Sequence, residues 1–439
     1  MTCYLRLVMS AVAKPENNAK PLRHGMLAPF AEPGFRYQWP ADLATSLAFD
    51  MEMIILAWYV LVETKSVTML TIFASLQYVG TLIAPMFGVM GDRIGHRNVL
   101  AAMRGVYTGC ALTLLALVYS GAITPYYVIA VAAVMGLVRP SDVGMRAALM
   151  SDTMPKHLLV SAMGMQRSTQ DMAKFAGALF GAGLVAWLGM GPAYCVVAAF
   201  YAFAVAFTLK GGRVRAATVG GPGARTPQAD ITSPWRDLKE GMIYVWQTPF
   251  LLATMTMALV LNFTAFPLMN SLMPIVAKEV YGTGQTGLSH LVAAGAFGAM
   301  LGSLFMGRIA HRLQPARMMT VGGIAWLAAE MVFAQTTSPA WGIPLIMIAG
   351  VAQAAGLVPM LGALLKNADP AFRGRVMGIR MLAIYTNIPG LLVAGPLVAN
   401  FGYATMATCL SAFGIIAIAL IAFRWRKTIW AKDAAANSR

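Results

Sequence analysis

Twelve runs of near-continuous apolar residues constrain the fold of this chain more than any other feature. They span 43–62, 67–90, 98–120, 124–148, 161–188, 191–209, 249–277, 287–307, 316–336, 341–366, 377–399 and 402–423. About 20 apolar residues in helical form cross the ~30 Å of hydrocarbon in a bilayer. A backbone in lipid must satisfy its own hydrogen bonds, so helices are the expected form. A large barrel would instead show alternating segments of about ten residues. The sequence therefore predicts an all-α membrane protein with twelve transmembrane helices.

Composition closes off the soluble alternatives. Of 439 residues, 58% are hydrophobic and 11% charged, where soluble domains carry about 25% charged residues. Such a chain cannot clothe a water-facing surface of ordinary polarity. Cys3, Cys110, Cys195 and Cys409 are widely separated and show no metal-ligand spacing, so they read as small hydrophobes. No P-loop, HExxH, GxSxG or zinc cluster occurs, which argues against ATP-driven transport and against an enzyme. No cofactor and no metal are expected.

The net charge of +16 is explained by where the cations fall. With the N-terminus inside, the external loops hold only Lys65 and Lys278. The cytosolic loops hold Arg93, Arg97, Lys156, Arg308, Arg312, Arg317, Arg373 and Arg375. The central linker and the tail add more. Every second loop is basic, the positive-inside pattern of a multi-pass protein with both termini cytosolic. The same distribution excludes nucleic acid as a partner, because the charge sits at the membrane edge and forms no groove. The lipid bilayer is the expected environment, in a cytoplasmic membrane.

Residues 1–40 read as a cytosolic tail, 41–210 as a six-helix bundle, 211–248 as a cytosolic linker, 249–424 as a second six-helix bundle and 425–439 as a cytosolic tail. No signal peptide opens the chain, since the cations at Lys14, Lys20, Arg23 and Arg36 follow the short apolar stretch. Met26 is an alternative start. Within the linker, Ser233-Pro234 is a helix start, with Ser as N-cap and Pro at the first helical position. It opens an amphipathic helix over 234–247. The two bundles echo each other: Arg93-Ile94-Gly95-His96-Arg97 reappears as Arg308-Ile309-Ala310-His311-Arg312. Leu184-Val185-Ala186 before Gly189 likewise reappears as Leu397-Val398-Ala399 before Gly402. Pseudo-symmetric halves are how many secondary transporters are built, with the site between them near the midplane.

Gly88-Val89-Met90-Gly91-Asp92-Arg93-Ile94-Gly95-His96-Arg97 resembles the signature between helices two and three of the major facilitator superfamily, with His96 at a position normally Lys or Arg. The resemblance covers roughly residues 35–425. It implies alternating access by two rocking bundles. It also implies a cytosolic gate built from Gly88, Asp92, Arg93, Gly95 and Arg97. Phe35-Arg36, Asp50, Trp58, Glu63, Ser66, Pro140 and Ser151-Asp152-Thr153-Met154-Pro155 resemble the branch that holds macrolide-efflux and enterobactin-export proteins. That branch exports amphipathic compounds. Gly177-Ala178 replaces the Gly-Pro of the antiporter motif, and Arg139-Pro140-Ser141-Asp142 departs from the usual helix-four arginine motif. Both departures weaken an assignment to proton antiport.

An ionisable side chain in a span costs about 2.5–3.5 kcal/mol on insertion scales, so it needs a partner or a cavity. Span one carries Asp50 and Glu52, which at i and i+2 point to nearly opposite faces, so at most one faces a cavity squarely. Span four carries Arg139, Asp142 and Arg146 on one stripe, and span five Arg167, Asp171 and Lys174. Asp50, Glu52, Asp142 and Asp171 are the proton-coupling candidates, with Arg139, Arg146, Arg167 and Lys174 as charge partners. A carboxylate that loses its cation during a conformational change gains affinity for a proton. The competing reading is a set of permanent ion pairs that position helices. Arg104 and Arg146 lie nearer the inner interface and read as snorkelling.

In the second half, Asn262, Gln353, Tyr385 and Asn387 are the substrate-cavity candidates; as an alternative, such groups tie helices together. Glu330 is read as interfacial. Gly177 and Gly181, and Gly295, Gly298 and Gly302, supply small faces for close helix crossing.

The expected function is secondary transport of a small molecule by alternating access, as proton-coupled export of an amphipathic drug or siderophore. The rivals are an importer or uniporter of a metabolite or lipid-like solute, and a transport-dead receptor or assembly protein. A monomer suffices for this architecture.

Overall fold

The computed structural model describes residues 28–211, 234–309, 314–369 and 372–430. Most of both tails, most of the linker and the echo motif at Ala310-His311-Arg312 lie outside them. Among the described residues the chain is helical, without strands. Eleven helices are long and apolar enough to cross a membrane. The remaining apolar run, the second, is divided into Val67–Leu76, a 3-10 turn Val79–Leu82, and Ala84–Ile94.

The break in the second span has a packing cause. A Cβ on Gly80 would strike the Leu137 carbonyl, and one on Gly136 would strike the Leu76 carbonyl, so two backbones touch here. Pro85 then starts the inner helix, where its missing N–H costs nothing. The seventh and eleventh spans are also interrupted. Pro267 and Pro274 accompany π-helical turns at Pro267–Ser271 and Val276–Val280. A 3-10 turn at Ile384–Thr386 divides the eleventh. Such irregular turns are frequent at functional sites.

The first six spans pack on one another, with the first (Pro33–Thr64) against the fifth (Lys156–Leu188) and sixth (Met190–Lys210), and the third (His96–Tyr119) against the sixth. In the second group, the eighth (Gln285–Ile309) and ninth (Pro315–Phe333) pack on the tenth (Pro339–Asn367). The twelfth (Tyr403–Arg424) packs on the ninth and seventh. Two main seams join the groups: fifth to eighth, and the outer piece of the second, Val67–Leu76, to Asn387–Phe401 of the eleventh. This is a twelve-span fold of two six-helix bundles.

Within the first bundle, the close crossing of the fifth span on the first is set by glycine. A Cβ on Gly177 would lie 2.8 Å from the Cβ of Asp50, and one on Gly181 would lie 2.9 Å from the Cα of Met51. The fifth span therefore sits directly against the middle of the first. Beyond the linker, Pro234–Gln247 forms a helix that packs on Arg373–Ala383. Glu240 takes a 2.9 Å ion pair from Arg375, and Tyr244 stacks on Phe372 at 4.4 Å.

The bundle is joined at one end and parted at the other. At the end remote from Ala28 and Trp430, Leu70 and Phe73 are fully buried and Lys278 Nζ donates to the Leu61 carbonyl at 3.0 Å. At the end carrying Ala28 and Trp430, Ala84–Ile94 of the second span makes its main contacts within the first bundle, with the third and fourth spans, and its Met86 and Ile94 are 70% and 53% exposed.

Candidate functional site

Asp50 and Glu52 diverge, as their spacing demands. Asp50 lines two adjoining cavities, one of about 360 Å³ between the bundles and one of about 270 Å³ walled by the first bundle. Glu52 turns away into the first bundle, 2% exposed, where Tyr201 donates to it at 2.9 Å and Tyr194 at 3.5 Å. Phe49, Asp50, Arg139 and Lys174 line both cavities and mark the neck between them.

The larger cavity is mainly apolar, with Phe73 and Phe266 among its walls, and receives Gln77, Tyr78, Asn270 and Ser271 as polar groups. The smaller lies towards the parted end and is lined by Asp142, Arg146, Arg167 and Asp171.

The charges fall into two groups. Nearer the parted end, Arg104 donates to Asp42 and Thr208. Arg146 pairs with Asp142 at 2.5 Å, approaches Asp42 at 3.8 Å and donates to Ser46 at 2.9 Å. This knot of two acids and two bases joins the first, third, fourth and sixth spans. Arg104 and Arg146 are 0% and 4% exposed. The expectation that they snorkel is therefore corrected: Asp42, 62 residues from Arg104 in sequence, supplies the partner that makes burial tolerable. Arg167 pairs with Asp171 at 3.1 Å, with the Arg167 side chain 70% exposed.

The second group is unpaired. Among the described residues, Asp50 has no ion pair within 4.0 Å and no side-chain hydrogen bond. The Arg139 guanidinium lies over the Phe49 ring, without a carboxylate in contact. Lys174 Nζ donates to the neutral amide oxygen of Asn270 at 2.6 Å.

Of the candidates in the second bundle, none lines either cavity. Asn387 Nδ2 donates to Asn262 Oδ1 at 2.9 Å, both side chains being buried, so this pair ties the eleventh span to the seventh. Tyr385 donates to the Val79 carbonyl at 2.9 Å, joining the breaks of the eleventh and second spans. Gln353 is buried in the tenth span. Asn262, Asn387 and Tyr385 thus stand at helix-tying positions, the alternative reading of such groups, and Gln353 stands in the core. Glu330, read as interfacial, is instead 2% exposed, buried beside the Trp326 indole.

Phe49, Asp42 and Tyr201 were not singled out by the sequence, and Asn270 was noted as a polar landmark of the second half without being placed in the cavity. Only Asn270 had a usable signal, since it lies between Pro267 and Pro274, where a regular helix cannot continue.

Of the gate residues, Gly88 lies within Ala84–Ile94, and Arg93 is exposed at its end. Gly95 turns the chain into the third span with φ of +90°, open to glycine at no steric cost. Arg97 donates to Asn98 at 3.5 Å. The Asp92 side chain lies outside the described residues. His96, the departure from the motif, meets Asp152 of the fourth span at 2.6 Å.

The sequence model of the Major Facilitator Superfamily matches residues 41–386. The chain belongs to that superfamily and is a multi-pass secondary transporter of its kind. No curated protein sequence matches it. Among solved structures, the peptide transporter family (POT) member PepTSo superposes with a TM-score of 0.73 at 13% identity, covering 91% of this chain and 99% of that one. A bacterial homologue of the human lysosomal transporter Spinster gives 0.70 at 13%, covering 89% and 96%. The nucleoside transporter NupG gives 0.67 at 13%, covering 91% and 99%. At such identities the likeness shows the fold.

Proposed function

We propose that this chain is a proton-coupled transporter that carries an amphipathic small molecule by alternating access, with Asp50 as the proton-carrying group. One observation carries this reading. Asp42, Asp142 and Asp171 each hold an ion pair, whereas Asp50 lines the cavities without one. A carboxylate within the membrane that lacks a fixed partner and meets an open cavity is placed for proton exchange. Arg139 on the fourth span and Lys174 on the fifth make its charge depend on how those helices stand.

The cationic loops support a reading in which the parted end faces the cytosol, in a cytoplasmic membrane. On that reading the described state faces inward, and the seam between Val67–Leu76 and Asn387–Phe401 is the outer closure. Alternating access then opens this seam while Ala84–Ile94, with its exposed Met86 and Ile94, closes against the second bundle.

The resemblance of the opening residues to exporters places efflux of a drug- or siderophore-class compound first. Uptake of a metabolite or lipid-like solute is the second reading, favoured by the cavity's two cations against one free carboxylate. The test is flux and proton movement in liposomes holding purified protein, with amphipathic drugs and siderophores and gradients imposed in both senses. Substrate-triggered proton movement in wild type, lost in Asp50→Asn, is expected. Flux without proton movement would leave a uniporter, and a folded protein carrying no flux would favour a receptor role.

A further inference from the structure

The charge inventory at the neck between the cavities is unbalanced. Arg139 and Lys174 contribute two positive charges, and Asp50 one negative. The other charged groups of the smaller cavity are consumed in the pairs Asp142–Arg146 and Asp171–Arg167. Arg139 offers a planar fork of N–H donors, and among the described residues no carboxylate fills it. Among the described residues, Lys174 is held by a neutral amide. Two cations with donors to spare, in a cavity of about 360 Å³, leave one positive charge for a ligand to neutralise. A guanidinium beside an ammonium suits a carboxylate or phosphate, the guanidinium binding it by paired hydrogen bonds.

The remainder of the cavity is of a different character. Phe49, Phe73 and Phe266, with Met53 and Leu70, form an apolar wall beside these cations. Pockets of about 300–1,000 Å³ with such walls and a few polar groups hold ligands of drug-like size. Gln77 adds a buried side-chain oxygen without a hydrogen-bond partner, an acceptor for a ligand hydroxyl or amide.

We propose that the cavity binds an amphipathic organic anion, its carboxylate or phosphate on Arg139 and Lys174 and its apolar body against Phe49, Phe73 and Phe266. This rests on the reading of the cavity as the transport site and names the class of substrate. A cationic amphiphile is disfavoured by the same surplus charge.

The anion and ionised Asp50 are like charges served by the same two cations. The groups facing Asp50 are Arg139 and Arg146 of the fourth span and Lys174 and Asp171 of the fifth. The second span contributes Tyr78, and the seventh the neutral Asn270 and Ser271. The third and sixth contribute Tyr107 and Tyr201 beside the smaller cavity. Anion binding therefore takes up a proton at Asp50, and by reciprocity of linked binding the proton strengthens the anion's hold. Proton and anion then cross together, which favours the uptake reading over exchange.

The test is equilibrium binding to full-length protein in nanodiscs, without any gradient, using phenylbutyrate, phenylbutyl phosphate, phenylbutyramide and phenylbutylammonium. These share one apolar body and differ in the polar end. At least about tenfold tighter binding of one or both anions than of the amide is expected, as charged hydrogen bonds allow, with the ammonium weakest. The two anions distinguish carboxylate from phosphate ligands. Arg139→Gln and Lys174→Gln each remove the preference, while Arg139→Lys and Lys174→Arg keep most of it. Between pH 6 and 8, where phenylbutyrate stays ionised, its affinity rises as pH falls in wild type and stays flat in Asp50→Asn, as expected of one linked proton, at most about tenfold per pH unit.

Equal binding of amide and anions, or tighter binding of the ammonium, by wild type overturns the proposal, and this comparison needs no variant to fold. Anion-selective binding by a protein that carries no flux would refute the transport reading and leave the ligand class intact. Flux of neutral or cationic probes without anion preference would do the reverse.

Discussion

The ammonium of Lys174 and the amide oxygen of Asn270 stand 2.6 Å apart, and this bond links the two bundles beside the carboxylate of Asp50. It spans the fifth and seventh helices, the latter through its π-helical turn. A link with a neutral acceptor can be exchanged for a ligand at small cost, because the net worth of such a bond is about 0.5–1.5 kcal/mol. Asn270→Asp replaces it with a permanent ion pair across the bundles. Anion affinity and initial transport rate in liposomes are each expected to fall at least about tenfold, equivalent to about 1.4 kcal/mol. Melting temperature in detergent should not drop. Asn270→Ala should retain affinity within a few-fold, because Lys174 is then free for the ligand.

Arg104 and Asp42 form the most deeply buried ion pair of the first bundle. Arg104→Leu leaves Asp42 with only Arg146, whose Nε is 3.8 Å away. Removing one partner of a buried pair costs about 3–5 kcal/mol. Thermal unfolding in detergent should show a loss at the low end of that range, because Arg146 compensates in part. Arg104→Leu combined with Asp42→Asn should recover much of it. Full stability of the single variant would show that water reaches Asp42.

The reach of the sequence can be judged on these same residues. The span pattern was legible because every lipid-crossing helix must be apolar over a fixed length, whatever its neighbours. The divergence of Asp50 from Glu52 was legible because it follows from spacing along one helix. The partner of Arg104 was not, since Asp42 lies on another span and the pairing depends on how both helices rotate. Nor could composition separate Asn262 and Asn387, which bind each other, from Asn270, which faces the cavity. An amide in an apolar run looks the same in either setting. Three breaks, in the second, seventh and eleventh spans, turned side chains in ways that helical periodicity does not encode.

Gly177 offers a test of the close crossing that positions Asp50. An added Cβ would stand 2.8 Å from the Asp50 Cβ and 3.2 Å from the Leu47 carbonyl, and backbone cannot swing aside as a flexible side chain can. Gly177→Ala should cost about 1–3 kcal/mol, the usual range for overpacking, and should lower transport by displacing Asp50. Gly183 lies on the same span with nothing within 4 Å of its Cβ position. Gly183→Ala should be neutral or stabilise by up to about 1 kcal/mol, from helix propensity. Paired melting curves decide the matter: equal shifts for both variants would mean that the fifth and first spans do not cross as closely as described.

The Asn262–Asn387 bond gives a prediction of the opposite kind, a buried polar pair whose loss leaves binding untouched. Interhelical side-chain hydrogen bonds in membranes average about 0.6 kcal/mol. Replacing both residues by Leu removes donor and acceptor together, so no buried amide is left unpaired. A stability change within about 1 kcal/mol is expected, with KM for an anion of the proposed class unchanged. A single Asn387→Leu should cost more than the double replacement, because the Asn262 oxygen then loses its only donor of the pair. Tyr385→Phe is the informative contrast. Its hydroxyl holds the Val79 carbonyl at the broken second span, across the two bundles. Losing that bond should change the turnover rate while leaving equilibrium affinity for the anion within a few-fold. A raised KM in the double Leu variant, measured beside Tyr385→Phe in the same liposomes, would return Asn262 and Asn387 to the substrate path.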